Sequence, residues 1–326
     1  LVTILDIARH WKYQVNSLQQ PTRWARPAMP LIRAAAAAKL NLYLHVLGRN
    51  ADGYHRLDSL VAFASAHDVV EVAPSDYFSL SIQGPFALPL LMEDTDKNLV
   101  TRAVKALATE LGRTPDVAVT LVKNLPVASG IGGGSADAAA ALRAVAALWE
   151  LPDDHPALAT VAPKLGADVP VCLAGRSAYF AETGTVLTPA PALPEGWVVL
   201  VNPGTGLHTA TVFGARSGAY SNADRLDPMP SHVLELAQAL QQRRNDLTLA
   251  AQSLCPVVAE VLAALDATPG SLLARMSGSG ATCFGLYADA ESAVLAAQLI
   301  ASARPQWWVQ PAGLVNDISG VQVVEA

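Results

Sequence analysis

Leu125-Pro126-Val127-Ala128-Ser129-Gly130-Ile131-Gly132-Gly133-Gly134-Ser135-Ala136-Asp137-Ala138-Ala139 is the stretch that decides how this chain is read. Four glycines in five positions, Gly130 and Gly132 to Gly134, remove side chains where a ligand must approach the backbone. The residues before them, 117–122, alternate as a strand, and those after, 136–149, carry apolar and alanine residues at helical spacing. Strand, glycine loop and helix is the context that gives a glycine motif meaning. The helix start offers unpaired N–H groups and a positive dipole end, which together suit a polyphosphate. Ser135 is placed to cap that helix or to reach a phosphate or Mg²⁺. Other glycine motifs fit poorly. No Lys-Ser/Thr follows the last glycine, which excludes a P-loop, and Ser135 stands where a dinucleotide fold needs its third glycine. A plain turn does not need four glycines.

Outward from the loop, residues 32–47 alternate in places: Leu40, Leu42, Leu44 and Val46 against Lys39, Asn41, Tyr43 and His45. Period two predicts strand, followed by a turn cluster at 48–53 and more strand over 57–72. A helix is expected over 98–111, with Leu99, Ala103, Ala106, Leu107 and Leu111 on one stripe and Gly112 as its stop. Further strands are expected near 177–180, 197–201, 272–276 and 283–287, and helices at 209–215, 231–241, 256–264 and 289–301. Pro189, Pro191 and Pro194 mark a boundary. Regular βαβ alternation is missing, so the expected class is α+β: antiparallel strands with helices on one side, built twice.

The chain has 326 residues, too many for one small core and suited to two domains: 29–188 and 189–326. Hydrophobic residues make up 52% and charged residues 15%, which excludes a disordered chain. A net charge of −6 with no basic stripe argues against a nucleic-acid binder. It does not exclude a nucleotide site, which backbone N–H groups and one or two lysines can build. Cys172, Cys255 and Cys283 have neither disulfide nor zinc spacing and are read as buried residues in a reducing compartment. No apolar run is long enough to span a membrane, so a cytoplasmic location is expected. Residues 1–28 contain Trp11, Trp24 and several basic residues but no secretory pattern. They are expected to be a disordered extension or a mis-assigned start ahead of Met29, with an ordered N-terminal helix as the rival reading.

At this point the sequence resembles the GHMP kinase superfamily in three places. One is the glycine loop. The second is Ala38-Lys39-Leu40-Asn41-Leu42-Tyr43-Leu44-His45-Val46, and the third is Met276-Ser277-Gly278-Ser279-Gly280-Ala281-Thr282-Cys283-Phe284. Within the superfamily, Gly48-Arg49-Asn50-Ala51-Asp52-Gly53-Tyr54-His55, Asp96-Lys97-Asn98-Leu99 and Gly166-Ala167-Asp168-Val169-Pro170 are similar to the 4-diphosphocytidyl-2-C-methyl-erythritol kinases of the non-mevalonate isoprenoid pathway. The resemblance runs from about Leu31 to the final strand. One departure stands out: the family places glycines just before its Gly-Leu-Gly-Gly-Gly core, where this chain has Ala128 and Ser129, with Ile131 for leucine. That bears on loop flexibility rather than on function.

The resemblance implies a two-domain GHMP fold with a ribosomal-protein-like N-terminal domain and a ferredoxin-like α/β-sandwich C-terminal domain. It also implies phosphoryl transfer from ATP with Mg²⁺, on a small molecule carrying cytidine diphosphate, by a monomer or weak homodimer. Such transfer needs an oriented hydroxyl, a proton acceptor and positive charge at the phosphates. Asp168 is the expected base; on the residues alone it could equally be a capping or salt-bridged aspartate. Lys39, costly to bury unpaired, is its expected partner, and Asn41 lies two residues on, on the same strand face. ATP contacts implied are Asn98, Pro126, Ala128, Ser129, Gly130, Ile131, Gly132, Gly133, Gly134 and Ser135. Substrate contacts implied are Asn41, Tyr54, His55, Thr209, Gly278 and Ser279, with Tyr54 and His55 at the cytosine, where a ring and an imidazole can stack and hydrogen-bond. No protein ligand to Mg²⁺ is assigned beyond Ser135, and the Asn245-Asp246-Leu247 segment resembles a family segment whose role stays open. The rivals are a homoserine- or mevalonate-type GHMP kinase, which would not need Gly53-Tyr54-His55, and a non-catalytic GHMP-fold binding protein, which has no use for Lys39 with Asp168.

Overall fold

The computed structural model describes residues 30–184 and 186–324; the expected extension over 1–28 lies outside them. Two long strands form the spine. β1 (Leu31–Arg49) and β2 (His55–Pro74) pair antiparallel around the 50–54 turn, with Lys39 opposite Phe63 and Asn41 opposite Val61. The register shifts between Ala37 and Ala38 and again between Asn41 and Tyr43. Such irregularities re-aim side chains, and these two bracket Lys39 and Asn41.

Alanine favours helix, yet residues 34–38 lie within β1. Packing overrides propensity here. The helix after the glycine loop, Gly133–Leu148, lies against β1, and its Ala136 and Ala138–Ala141 are as buried as Ala36–Ala38. Small residues on both surfaces let helix and strand approach closely. That helix is buried on nearly every face, as an all-round apolar helix must be.

In chain order the remaining strands are β3 (Ser79–Gln83), β4 (Val117–Val122), β5 (Ala178–Glu182), β6 (Val186–Pro189), β7 (Trp197–Asn202), β8 (Leu273–Met276), β9 (Cys283–Tyr287), β10 (Trp308–Val315) and β11 (Val321–Val324). The helices are α1 (Leu88–Leu91), α2 (Leu99–Glu110), α3 (Gly133–Leu148), α4 (Pro156–Leu165), α5 (Val169–Ala174), α6 (Thr209–Ala215), α7 (Val233–Gln241), α8 (Thr248–Leu254), α9 (Val257–Asp266) and α10 (Ala290–Ala303). The main sheet path runs β11-β1-β2-β10-β7-β9-β8, with β3–β4 and β5–β6 branching from β2. Every pairing except β3 with β4 is antiparallel, as the α+β reading expected.

One core lies between β1, β2, β4 and helices α2 to α5. Another lies between β7, β9 and helices α8 to α10, and a third joins β1 and β2 to β7, β9 and α7. β10 pairs with β2 and with β7, so the sheet is continuous between the two halves. β11 returns to pair with β1. Helix α3 begins at Gly133, three residues ahead of the expected start, with Gly132 as its cap in the left-handed region. Ser135 is therefore inside the first turn and does not cap it. Helices α1, α4, α5 and α8 and strands β3, β6, β10 and β11 were not expected. Pro163 lies inside α4 and Pro170 in the first turn of α5, where proline reads as a breaker although it is tolerated in a first turn.

Candidate active site

The three motif segments meet at one place. The amide of Lys39 donates to the carbonyl of Ile131 at 2.9 Å, and that of Thr282 to Ser129 at 3.0 Å. The Asn41 amide donates to Ser277 Oγ at 3.2 Å, and that hydroxyl in turn donates to the Gly130 carbonyl at 3.3 Å. Strand β1, the loop before α3 and the 277–282 turn are thus joined by backbone. The joint works only with glycine at the contact. Gly130 has φ +78°, and a Cβ there would run into the Gly280 backbone.

Lys39 lies at this junction. Its Nζ stands 3.2 Å from Asp168 Oδ2 and donates to Asn41 Oδ1 at 3.0 Å. Asn41 is fixed in turn by donating to Ser59 Oγ at 2.8 Å. The Lys39 side chain is 5% exposed and that of Asp168 34%, so the lysine is enclosed while its carboxylate faces out. Asp168 occupies the position before α5, yet its side chain makes no capping hydrogen bond. Its oxygens are not spent on the helix. A Cβ built on Gly132 would lie 3.1 Å from Lys39 Cε and 3.8 Å from Asp168 Oδ2. The ion pair therefore sits directly against the glycine loop and the N-terminal end of α3.

The loop residues divide by role. Pro126, Ser129 and Ile131 are buried, and the Ser129 hydroxyl donates to the Pro126 carbonyl at 2.7 Å. Their side chains shape the loop and leave only backbone for a ligand. Gly132 to Ser135 are partly or fully exposed. Asn98 accepts the Val100 amide at 2.9 Å as the cap of α2, and the Leu99 methyl beside it lies 3.4 Å from a Cβ built on Gly134. Ala128, where the resemblance leads us to expect glycine, has φ +53°. A side chain there costs about 1–2 kcal/mol. Ala128→Gly is expected to raise stability by about 0.5–1 kcal/mol, after allowing for the freer unfolded chain. Urea unfolding measures this, and a lowered midpoint would show that Ala128 is not strained.

Beyond the 277–280 turn, the exposed residue Thr209 opens α6, its hydroxyl 3.0 Å from Ser279 Oγ. One turn on, Phe213 stacks on His55, ring centroids 5.1 Å apart and planes 23° from parallel. Helix α6 thus links the 277–280 turn to His55. Tyr54 beside them is exposed. Burial, with Arg49 and Arg216 adding to it, holds the His55 imidazole below the usual histidine range, so it is neutral at pH 7. A neutral ring offers one donor and one acceptor.

Profiles of the GHMP kinases N terminal domain and the GHMP kinases C terminal domain match residues 98–176 and 231–302. The 4-diphosphocytidyl-2-C-methyl-D-erythritol kinase of Rhodospirillum rubrum is 48% identical over 295 residues, covering 90% of this chain and 96% of that one. The enzyme of the same name from Paramagnetospirillum magneticum is 51% identical over 281 residues, covering 86% and 98%. This chain belongs to the 4-diphosphocytidyl-2-C-methyl-D-erythritol kinase family of GHMP kinases. A crystal structure of a 4-(cytidine 5'-diphospho)-2C-methyl-D-erythritol kinase superposes with TM-score 0.68 at 33% identity, covering 86% of this chain and 98% of that one. The GHMP fold expected from the motifs is the fold observed.

Against that family frame, several residues at the site were not singled out from sequence. Phe213 is one. A buried cluster beneath the glycine loop is another. Lys123 Nζ bonds Asp68 and also Asp137 Oδ2, the latter at 2.8 Å, and Asp68 Oδ1 accepts the amides of Asn124 and Leu125 at 2.5 and 2.8 Å. The cluster ties the residues entering the loop to the helix leaving it. Burial opposes the Lys123 charge, but Asp137 and Asp68 outweigh it and hold the ammonium above the lysine range. Asn245 proves to be a clasp: its Nδ2 donates to the carbonyls of Met276 and Gly278, both at 2.8 Å. Asp246 accepts the Val46 amide of β1 at 2.7 Å. Nothing in single-sequence spacing marks these long-range partners.

Proposed function

We propose that the chain transfers the γ-phosphoryl group of ATP to the 2-hydroxyl of 4-diphosphocytidyl-2-C-methyl-D-erythritol in isoprenoid precursor synthesis. The observation that carries this reading is the Lys39–Asp168 pair set against the Gly132 backbone. The triphosphate binds over residues 130–135, where the α3 N-terminus supplies N–H donors and a positive dipole end, with Asn98 on the adenine side. Asp168 takes the proton from the substrate hydroxyl. The hydroxyl oxygen then bonds to the γ-phosphorus as the bond to the β–γ bridging oxygen breaks, and ADP leaves. Lys39, held by Asn41, stands where charge develops on the transferred group. Mg²⁺, when bound with ATP, would supply charge neutralisation at the phosphates. Among the described residues no group of three or more His, Cys, Asp or Glu is arranged to hold a metal. The ion would come with ATP, and the Ser135 hydroxyl would be its candidate protein ligand.

Tyr54, His55 and Phe213 take the cytosine by stacking and by hydrogen bonds to the neutral imidazole, and Thr209, Gly278 and Ser279 line the erythritol end. His55→Ala is expected to raise KM for the cytidyl substrate about 10- to 100-fold, the worth of a stacked and hydrogen-bonded base, while KM for ATP stays within about twofold. Steady-state kinetics with each substrate varied measures both; equal effects on the two would remove His55 from cytidine recognition. The overall test is ATP consumption by the purified chain with this substrate beside homoserine and mevalonate. Turnover on the cytidyl compound alone supports the reading, and turnover on another acceptor alone overturns it. Among the described residues no helix is long and apolar enough to cross a membrane.

A further inference from the structure

Two buried guanidinium groups grip strand β1 on either side of Lys39. Arg143, midway along α3, donates from Nη1 to the Cys172 carbonyl at 2.7 Å and from Nη2 to the Ala35 carbonyl at 2.8 Å. Arg275, in β8, donates to the carbonyls of Leu42, Leu240 and Arg243 at 2.7, 2.8 and 2.7 Å. Both residues are 8% exposed. Among the described residues neither forms a salt bridge with a carboxylate.

A buried charge without a counter-ion is costly, and at 143 it is set among the alanines, Leu142 and Val145 of α3. Burial lowers the Arg143 pKa from the arginine range, with Cys172 and Asp317 opposing it. Its Nε is buried and has no hydrogen-bond partner. An aliphatic side chain would fill this place at less cost, so the charge calls for a reason beyond packing. The two carbonyls it grips supply one. Ala35 lies four residues before Lys39 on β1, and Cys172 lies four residues after Asp168, its amide bonded to the Asp168 carbonyl at 3.1 Å. One rigid planar fork therefore spans the strand that carries the lysine and the helix that follows the aspartate. Burial pushes the Cys172 thiol up to about 12, so the sulfur beside the gripped carbonyl stays protonated and adds no charge.

We propose that Arg143 is a positioning residue for phosphoryl transfer, fixing the separation of Lys39 and Asp168 by cross-linking β1 to α5. The inference rests on the roles given to those two residues above. It predicts a loss in the chemical step and not in binding, because Arg143 touches neither the glycine loop nor α6. Misplacing a reacting pair by about 1 Å can cost about 100-fold.

Full-length Arg143→Met and Arg143→Lys are compared with the parent in steady-state kinetics with ATP and the cytidyl substrate, with urea unfolding alongside. Arg143→Met is expected to lower kcat about 10- to 100-fold with both KM values within about twofold, and Arg143→Lys, which keeps charge and a donor, to recover part of the loss. In an Asp168→Asn background Arg143→Met is expected to add no further loss, as for residues acting as one unit. A folded Arg143→Met enzyme with parental kcat, or losses that multiply independently in the double variant, overturns the inference. Should Arg143→Met not fold, Arg143→Lys decides: lowered kcat at unchanged KM supports the proposal and parental kcat overturns it. Full turnover by Asp168→Asn alone would instead overturn the proton-acceptor reading, and this inference with it.

Discussion

Asp168→Asn is expected to lower kcat by about 10²–10⁴-fold, the usual worth of a general base, while ATP affinity changes by no more than about threefold. The substitution keeps the shape of the side chain and removes its charge and basicity. Local structure should tolerate it, because Asp168 makes no capping hydrogen bond to α5 and a third of its side chain is exposed. Lys39 loses its counter-ion at 3.2 Å but keeps the Asn41 Oδ1 acceptor at 3.0 Å, so the ammonium is not stranded. ATP affinity should survive because the phosphates are held by loop backbone and the α3 N-terminus, which Asp168 does not support. Steady-state kinetics with calorimetric ATP titration separates the two quantities. Near-parental turnover would assign Asp168 to orienting Lys39 and would require another proton acceptor.

Sequence reading reached this pair through the family resemblance, with a weaker local signal at each member. Lys39 interrupts an apolar alternating run, which makes an unpaired lysine costly, and Asp168 lies between glycine and proline, where an element must end. The period of the alternation also put Asn41 on the same face, as observed in its bond to Lys39. What stayed hidden depends on partners far apart in the chain. Asp68, Lys123 and Asp137 come from β2, the end of β4 and α3, and no spacing rule joins them. Asp137 was visible only as part of a glycine motif. Helix α3 starts earlier than propensity suggests because Gly133 and Gly134, poor helix formers, are held by the buried helix beyond them. Phe213 lies at helical spacing in a short segment, and only the fold brings it onto His55. The 308–324 strands were missed because β10 is interrupted by Pro311 and β11 is short and half exposed.

The glycine loop yields the other large effect. Gly130→Ala is expected to destabilise the protein by about 2–5 kcal/mol, combining about 1–2 for a left-handed side chain with about 1–3 for overpacking. The same change should raise KM for ATP about 100-fold, the cost of shifting loop N–H donors by about an ångström. The reason lies in what Gly130 touches. Its added Cβ would meet the Gly280 carbonyl oxygen within bonding clash, and the Gly280 nitrogen at 2.8 Å. Gly278 approaches reciprocally, since a Cβ there would lie 2.7 Å from the Gly130 carbonyl oxygen. Neither backbone can withdraw freely. The 277–280 turn is clasped by Asn245 on its far side, and the loop is bonded to β1 through Ile131 and Lys39. The strain therefore reaches Lys39, and kcat should fall together with ATP affinity. Urea unfolding, calorimetric ATP titration and kcat measured together test this. A stable Gly130→Ala protein with parental ATP affinity would show that the two loops can separate without disturbing the site, and that the close approach of Gly130 to Gly280 is not what sets its geometry.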